Sequence, residues 1–427
     1  MISLLLVLLL QGPGEQSVPT WHGDIHTIIR AHCTECHAEN GPGPFKLETY
    51  EEVRARAGFI KAVVQEGIMP PWLPGPAGLS IQGHRGLSQA EIELIKAWVS
   101  NGSPLGKPGA VLDEIVETTS RTADLQLKML APWPVPAEGG GTWGRVVRDK
   151  RTFVVPVNNN QSLRIQGYAY ETNSPTVVHA VTFLADTTGS GRYLDARENG
   201  PGYYMAGDVR DTPSGDIGGV GVGARELVLP DGFHWEIPKE SDLLMQVQYR
   251  PSGKIEFLHD RLHAWTTRLN ESRPLRTLLS MIWRVDVPAG ETAHLQDSWT
   301  LPVAVDLVGF TPRANGIVSS MNLNATLPDG DTQVLLDVPR YDPHWGQTWL
   351  LDNPRHLPAG TRLTGSWVVS NTESNPRNPF MPLDRYVAAR RTGVLGILMH
   401  VAAVNPDEDA SLLLWRQEML QSRQRPQ

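Results

Sequence analysis

From about residue 135 onward, short runs with a hydrophobic period of two recur between turn signals, and nothing else in the chain limits the fold so strongly. "SLRIQGYAYE", "TVVHAVTFLAD", "DLLMQVQYRPSGK", "HAWTTRL", "MNLNATLPDGDTQVLLDVPRY" and "TRLTGSWVVSNT" are alternating or β-branched, and Pro-Asp-Gly, Pro-Ser-Gly and Pro-Ala-Gly turns bound them. Alternation sends successive side chains to opposite faces of a strand, so each run has one face to bury. Gly (40) and Pro (34) are frequent and scattered, as in a turn-rich β protein. Repeated over roughly 290 residues, this spacing predicts two antiparallel sandwiches.

The remaining residues precede that region. At 427 residues and 40% hydrophobic, the chain can bury several cores, roughly three at about 150 residues per domain. The balance of 38 basic to 46 acidic residues gives a net charge of -8, and no basic block interrupts it, so no nucleic acid partner is expected. The N-terminal "MISLLLVLLLQGPGEQS" has an apolar run ending by Leu10, well short of the roughly 20 residues that span a bilayer. It reads as a secretory signal over residues 1–14, with Gly12 and Gly14 as small cleavage-site residues. No Lys or Arg precedes the run, which leaves the translation start open, and a buried first strand is the plainer alternative. No other stretch is long enough to cross a membrane, so a periplasmic or otherwise exported protein without a transmembrane span is expected.

The only two cysteines lie in "AHCTECHAENGPGPF". Cys33-Thr34-Glu35-Cys36-His37 is a C-x-x-C-H sequence, the attachment site of c-type haem. Two thiols at this spacing can add across the vinyl groups of one porphyrin edge while the next imidazole reaches the iron. A structural zinc site wants four N or S ligands, and a second Cys pair is missing. A thioredoxin-like pair gives no reason for His37 and expects a βαβ surround. A disulfide across two intervening residues would be strained. The expectation is therefore one covalent haem c, with Cys33 and Cys36 as thioethers and His37 as proximal ligand.

The flanks fit helices over that haem. Ile25, Ile28 and Ile29 in "HGDIHTIIRAHC" have helical spacing. In "LSQAEIELIKAWVSNGSP", Ser88 and Glu91 form a capping box, Ile92, Ile95 and Trp98 share a face, and Asn101-Gly102 ends the helix. Between them, "EGIMPPWLPG" holds Met69 ahead of two stiffening prolines. Most methionines are core filler, but Met69 lies in a loop between the attachment site and the last helix, and it is the expected distal ligand. His84 is its rival and would lower the potential. His22, His26 and His32 are expected to be surface or packing residues.

With these residues in view, 20–106 resembles the cytochrome c module of bacterial proteins in which "CxxCH…PF.L.TYE…MPPW…L…E…WV..G.P" recurs. The matches are Cys33 to His37, Pro44-Phe45, Thr49-Tyr50-Glu51, Met69 to Trp72 and Trp98-Val99. In that family the module is fused to a region similar to the copper type II, ascorbate-dependent monooxygenases such as peptidylglycine α-hydroxylating monooxygenase. "VVHAVTF", "LLMQVQYRPSGK", "HWGQTW", "LPAG" and "NPRNP" carry the resemblance onward. It implies a multi-domain chain: a small all-α cytochrome c domain at 20–106, a linker at 107–134, and two antiparallel β jelly-roll-like sandwiches at 135–270 and 271–420.

The resemblance also implies two coppers, one per sandwich, but the ligand positions have changed. Where the family has paired histidines this chain has His179-Ala180, and Gln248 stands for the histidine of its "QVHY" phrase. In place of His-x-His after a Thr-Pro stand Arg313, Ala314 and Asn315, and Gly396 falls at the methionine, with Met399 three residues away. His179 is the single matching ligand. His259 and His263, four apart on an expected strand, share a face without a third partner, and His234, His294, His344, His356 and His400 are expected to be surface or core residues. No hydrolase triad phrase or phosphate-binding glycine loop stands out.

Two functions follow from these features. One is an exported electron-transfer cytochrome without catalytic residues, with a periplasmic or membrane-bound redox partner; its sandwiches, from which copper is not expected, serve docking or substrate binding. The other is a copper type II monooxygenase-like oxidoreductase fed with electrons by its own haem. The oligomeric state is not legible.

Overall fold

The structure, a computed structural model, describes residues 18–39, 41–108, 122–138, 142–143, 146–147, 149–204, 216–221, 226–269, 271–282, 284–388 and 395–424. The expected signal segment, 1–14, lies outside them. The chain divides into two compact units, one formed by residues 1–39, 45–71 and 85–117, the other by 40–44, 72–84 and 118–427.

The first unit holds α1 (His26–His32), α2 (Tyr50–Arg54), α3 (Ala57–Gln65) and α4 (Gln89–Ser100), preceded by a π-helical turn, Trp21–Ile25. Capping boxes start α2, from Thr49 and Glu52, and α4, from Ser88 and Glu91. Each satisfies two backbone donors that a helix start leaves open. Trp21, Ile25, Ile29, Val53, Ile60, Val64, Ile95 and Trp98 form the core of this unit.

The expectation of an all-α cytochrome c domain needs correction. The described chain is mostly antiparallel sheet, and the first unit has only short helices, of 7, 5, 9 and 12 residues, joined by irregular backbone. Residues 72–84, counted within 20–106 in the sequence, run with the second unit instead. Pro71, Pro74, Gly75, Pro76 and Gly78 cannot sustain a helix, because proline lacks the N–H donor and glycine loses most entropy on ordering.

The second unit contains two sandwiches. The first is built from β1 (Leu125–Lys128), β2 (Lys150–Pro156), β3 (Leu163–Glu171), β4 (Val178–Asp186), β5 (Asp216–Gly221), β6 (Phe233–Ile237), β7 (Asp242–Tyr249) and β8 (Arg261–Thr266). Its sheets run β1-β8-β3-β6 and β2-β7-β4-β5. The second is built from β9 (Arg276–Ile282), β10 (Thr292–Thr300), β11 (Val305–Arg313), β12 (Val318–Thr326), β13 (Thr332–Val338), β14 (Trp349–Leu357), β15 (Arg362–Ser370) and β16 (Leu395–Ala403). Its sheets run β9-β16-β11-β14 and β10-β15-β12-β13. Counted within each sandwich, both have the order 1-8-3-6 over 2-7-4-5, the double Greek key of a jelly roll. The first sandwich begins at β1, inside the segment read as linker.

Strands β7 and β16 are buried along their whole length. They sit inside their sheets and are covered on both faces, so burial does not alternate along them and even the polar Asp242, Gln246, Gln248 and His400 are buried. The sandwiches abut: Val308, Leu350 and Ala402 of the second enter the core of the first, and the Thr348 N–H donates to the Gly219 carbonyl at 3.0 Å. A C-terminal helix, α5 (Asp409–Gln424), packs Trp415 on Trp299 and pairs Asp409 with Arg276.

Residues 72–84 cover one edge of the second sandwich. Gly75 and Leu79 donate to Asp337 and Leu335 of β13, and Gln82 donates to Leu350 of β14. Those two are edge strands of their sheets, whose unpaired groups invite association unless covered. Gly78 lies so close that a Cβ would stand 2.9 Å from the Asp337 nitrogen and 3.3 Å from the Leu336 Cα.

Candidate functional site

Two places in the chain gather the residues singled out by sequence. The first follows α1. The Cys36 and His37 N–H groups both donate to the Cys33 carbonyl, at 3.2 and 2.9 Å, coiling the motif into a tight turn. His37 is buried, and its Nδ1 lies 2.9 Å from the Phe45 carbonyl. A carbonyl can only accept, so Nδ1 carries the proton and Nε2 keeps the lone pair, the tautomer a metal-binding imidazole needs. The Phe45 ring stacks on His37 at 4.7 Å, with exposed Phe59 against its edge at 6.3 Å, which forms an apolar wall beside the imidazole. Both thiols are half-buried. Burial, reinforced by Cys36, pushes the Cys33 thiol up to about 12.

Met69 is half-buried beyond α3, its N–H donating to the Val63 carbonyl at 3.2 Å. His84 is exposed, belongs to the second unit and lies 5.0 Å from the Trp72 ring. His32 contacts Glu91 at 3.1 Å and His26 packs on Trp21, so both have packing roles. Two thiols beside one oriented imidazole fit a covalent haem, and Met69 is a thioether of the same unit.

The second place is a narrow cleft between the sandwiches, lined by Lys150, Ala180, Thr182, Gln246, Gln248, Pro312, Arg313, Ala314, Tyr341, Pro343 and Gly346. Positions far apart in sequence, read as lost copper ligands, meet here. Ala180 pairs with Gln248 across β4 and β7, and Arg313 pairs with Gly396 across β11 and β16. Met399 pairs with Phe310 and is fully buried in the hydrophobic core.

His179 stands at an irregularity of the ladder: Gln248 pairs with Ala180 but Tyr249 with Val178, so one extra residue is left on β4. Such a bulge re-aims a side chain, and the His179 ring lies 5.6 Å from that of His344. Burial first, then the charges of His344 and Arg250, lower His179 to about 4. Asp342 accepts from His344 Nδ1 at 3.0 Å and from Arg377 Nε at 2.8 Å. These bonds hold its carboxyl well below the usual range against the opposing effect of burial.

Other histidines have protein partners. His400 is fully buried, with Nε2 2.7 Å from the Thr311 hydroxyl, which lies 2.7 Å from that of Thr348. His263 contacts Glu171 at 2.8 Å. His259, read as sharing a strand with it, precedes β8 and contacts the Met129 carbonyl at 3.2 Å. Among the described residues no three His, Cys, Asp or Glu side chains converge as a metal cage, and no helix is long and apolar enough to cross a membrane.

Sequence reasoning missed Lys150, Thr182 and Gln246. A signal existed: Thr182 and Gln246 are each two residues from a position already identified, and strand residues at i and i+2 share a face. Lys150 was inaccessible because its place beside Gln248 depends on the pairing of β2 with β7.

No family model matches the chain, and no curated protein does. Among solved structures, PNGF-II in its C2 space group is 9% identical, with a TM-score of 0.28, covering 66% of this chain and 65% of that one. The infectious bursal disease virus VP2 subviral particle is 9% identical, with a TM-score of 0.19, over 69% and 74%. Paenibacillus xanthan lyase is 10% identical, with a TM-score of 0.17, over 71% and 28%. At these scores the likenesses carry no argument about fold or activity.

Proposed function

We propose that this chain is an exported c-type cytochrome that transfers electrons through one covalent haem, while its sandwiches serve as a copper-free scaffold for docking or substrate binding. The observation that carries this reading is His37: it directly follows the Cys33/Cys36 pair and its Nδ1 proton is committed to the Phe45 carbonyl. Cys33 and Cys36 would form the two thioether bonds, and Nε2 of His37 and the sulfur of Met69 would hold the iron. When bound, haem supplies a one-electron couple. The Phe45 carbonyl holds the imidazole in one tautomer and one orientation, and strengthens it as a donor. The Phe45 ring covers one face of the imidazole. The redox partner would be periplasmic or membrane-bound, in line with the expected export. Against a copper oxygenase, the expected ligand positions carry an alanine, two amides, a glycine and a guanidinium, and Arg313 has no lone pair to offer.

In a denaturing gel of the mature protein, haem peroxidase staining should give a band that survives boiling. A Cys36→Ser variant with an unchanged covalent haem spectrum overturns the assignment. Met69→Ala should remove the thioether-dependent charge-transfer band and lower the potential; if His84→Ala does so instead, the distal ligand is His84.

A further inference from the structure

Beside the C-x-x-C-H turn, one cation is held against the ring that stacks on His37. The Phe45 ring has the His37 imidazole stacked on it at 4.7 Å and the Arg56 guanidinium 4.7 Å from its centre. These two contacts put the charge within about 10 Å of the imidazole centre. Arg56 is half-buried at the start of α3, and its Nη1 donates to the Glu52 carbonyl at 3.2 Å. The attraction of a guanidinium for the face of an aromatic ring holds it there as well. The Glu52 carboxylate is engaged at the other end of α2, where it accepts from the Glu48 and Thr49 N–H groups at 2.9 and 3.1 Å.

The charge is not cancelled where it stands. Among the described residues Arg56 takes part in no ion pair, whereas Lys46, next to Phe45 in sequence, faces the carboxylates of Glu39, Glu48 and Glu52 at 3.8, 4.0 and 3.9 Å. A guanidinium cannot be deprotonated in a protein, so the positive charge beside Phe45 is permanent.

We infer that Arg56 tunes the redox couple: its charge, held on the Phe45 ring, raises the reduction potential of the haem that His37 would bind. Oxidation removes one electron and so adds one positive charge at the iron, and a fixed cation nearby opposes that gain and favours the reduced form. Because Arg56 is half-buried, salt weakens the interaction without removing it. The inference rests on the haem reading of Cys33, Cys36 and His37, and it adds to that reading a residue that sets the direction of electron flow.

Spectroelectrochemical titration of the full, haem-loaded chain tests it. Arg56→Gln should lower the potential so that the ratio of reduced to oxidised protein at a fixed applied potential falls about tenfold, which is about 59 mV for one electron. The difference from the parent should shrink as salt rises. Arg56→Lys keeps the charge and should restore most of the parent's potential. Arg54→Gln removes an equal charge whose guanidinium lies over Tyr50 at 5.8 Å instead, and should shift the ratio by much less. Arg56→Met, which keeps an apolar stem, serves if Arg56→Gln does not fold. An unchanged potential in the uncharged variants with the haem spectrum intact, an equal shift in Arg54→Gln, or no recovery in Arg56→Lys overturns the inference. A parent chain without covalent haem overturns the haem reading and this inference with it, whereas a haem-loaded parent whose potential does not respond to Arg56 overturns this inference alone.

Discussion

Lowering the pH from 7 to 5 should destabilise the sandwich unit through His400, and the size of the effect follows from its surroundings. The ring is fully buried on β16, hydrogen-bonded through Nε2 to Thr311, and close enough to Arg313 for that charge to disfavour a proton. Burial is the larger cause, and together they lower His400 to about 3. In the unfolded chain the ring titrates near its ordinary value of about 6.5. Between those values the unfolded state binds a proton that the folded state refuses, so stability falls as pH falls, starting near 6.5. At pH 5 the loss from this residue is about 2 kcal/mol, and at pH 7 only about 0.2 kcal/mol. His400→Gln keeps a partner for Thr311 and removes the titration. Urea unfolding followed by tryptophan fluorescence, to which Trp235 at 6.3 Å from the ring contributes, should show the parent losing about 2 kcal/mol more than the variant over this pH step. Equal losses in both proteins would refute the account, because the other titrating groups, His179 and His234 among them, cancel in the difference.

Two more outcomes follow. Gly78→Val should cost about 1–3 kcal/mol, since the added Cβ would press on the backbone of β13 rather than on a flexible side chain; limited proteolysis should then cut within 72–84 sooner, and unchanged proteolysis would refute that packing. Ala180→His with Gln248→His sets two imidazoles on paired residues next to the bulge at His179 and should create a cupric or zinc site absent from the parent, read by metal titration; no gain in affinity would show that His179 does not turn toward them.

Much of the strand pattern was legible because burial on one face of a sheet forces a period of two, as "TRLTGSWVVS" shows in β15 with its alternating exposure. Strands β7 and β16 broke that rule, being covered on both faces, and their polar members Gln246, Gln248 and His400 gave no sign in sequence of what would surround them. The C-x-x-C-H motif reads as a haem attachment site from five residues alone, and the structure adds its tight turn and the bond of His37 to Phe45. The all-α domain was not correctly read: local helix signals were present, but the glycine- and proline-rich stretch after Met69 found its hydrogen bonds on the edge of a sheet more than 250 residues away in sequence.

By itself the sequence determined what depends on neighbours: strand periodicity, helix caps, the thiol spacing and the identity of each residue at a position read as a lost ligand. Tertiary structure alone decided which of those positions meet. Lys150, Gln248 and Arg313 come together because jelly-roll pairing sets β2 beside β7 and the two sandwiches abut across the cleft. Those contacts are set by burial and register over the whole unit, and local preference cannot encode them.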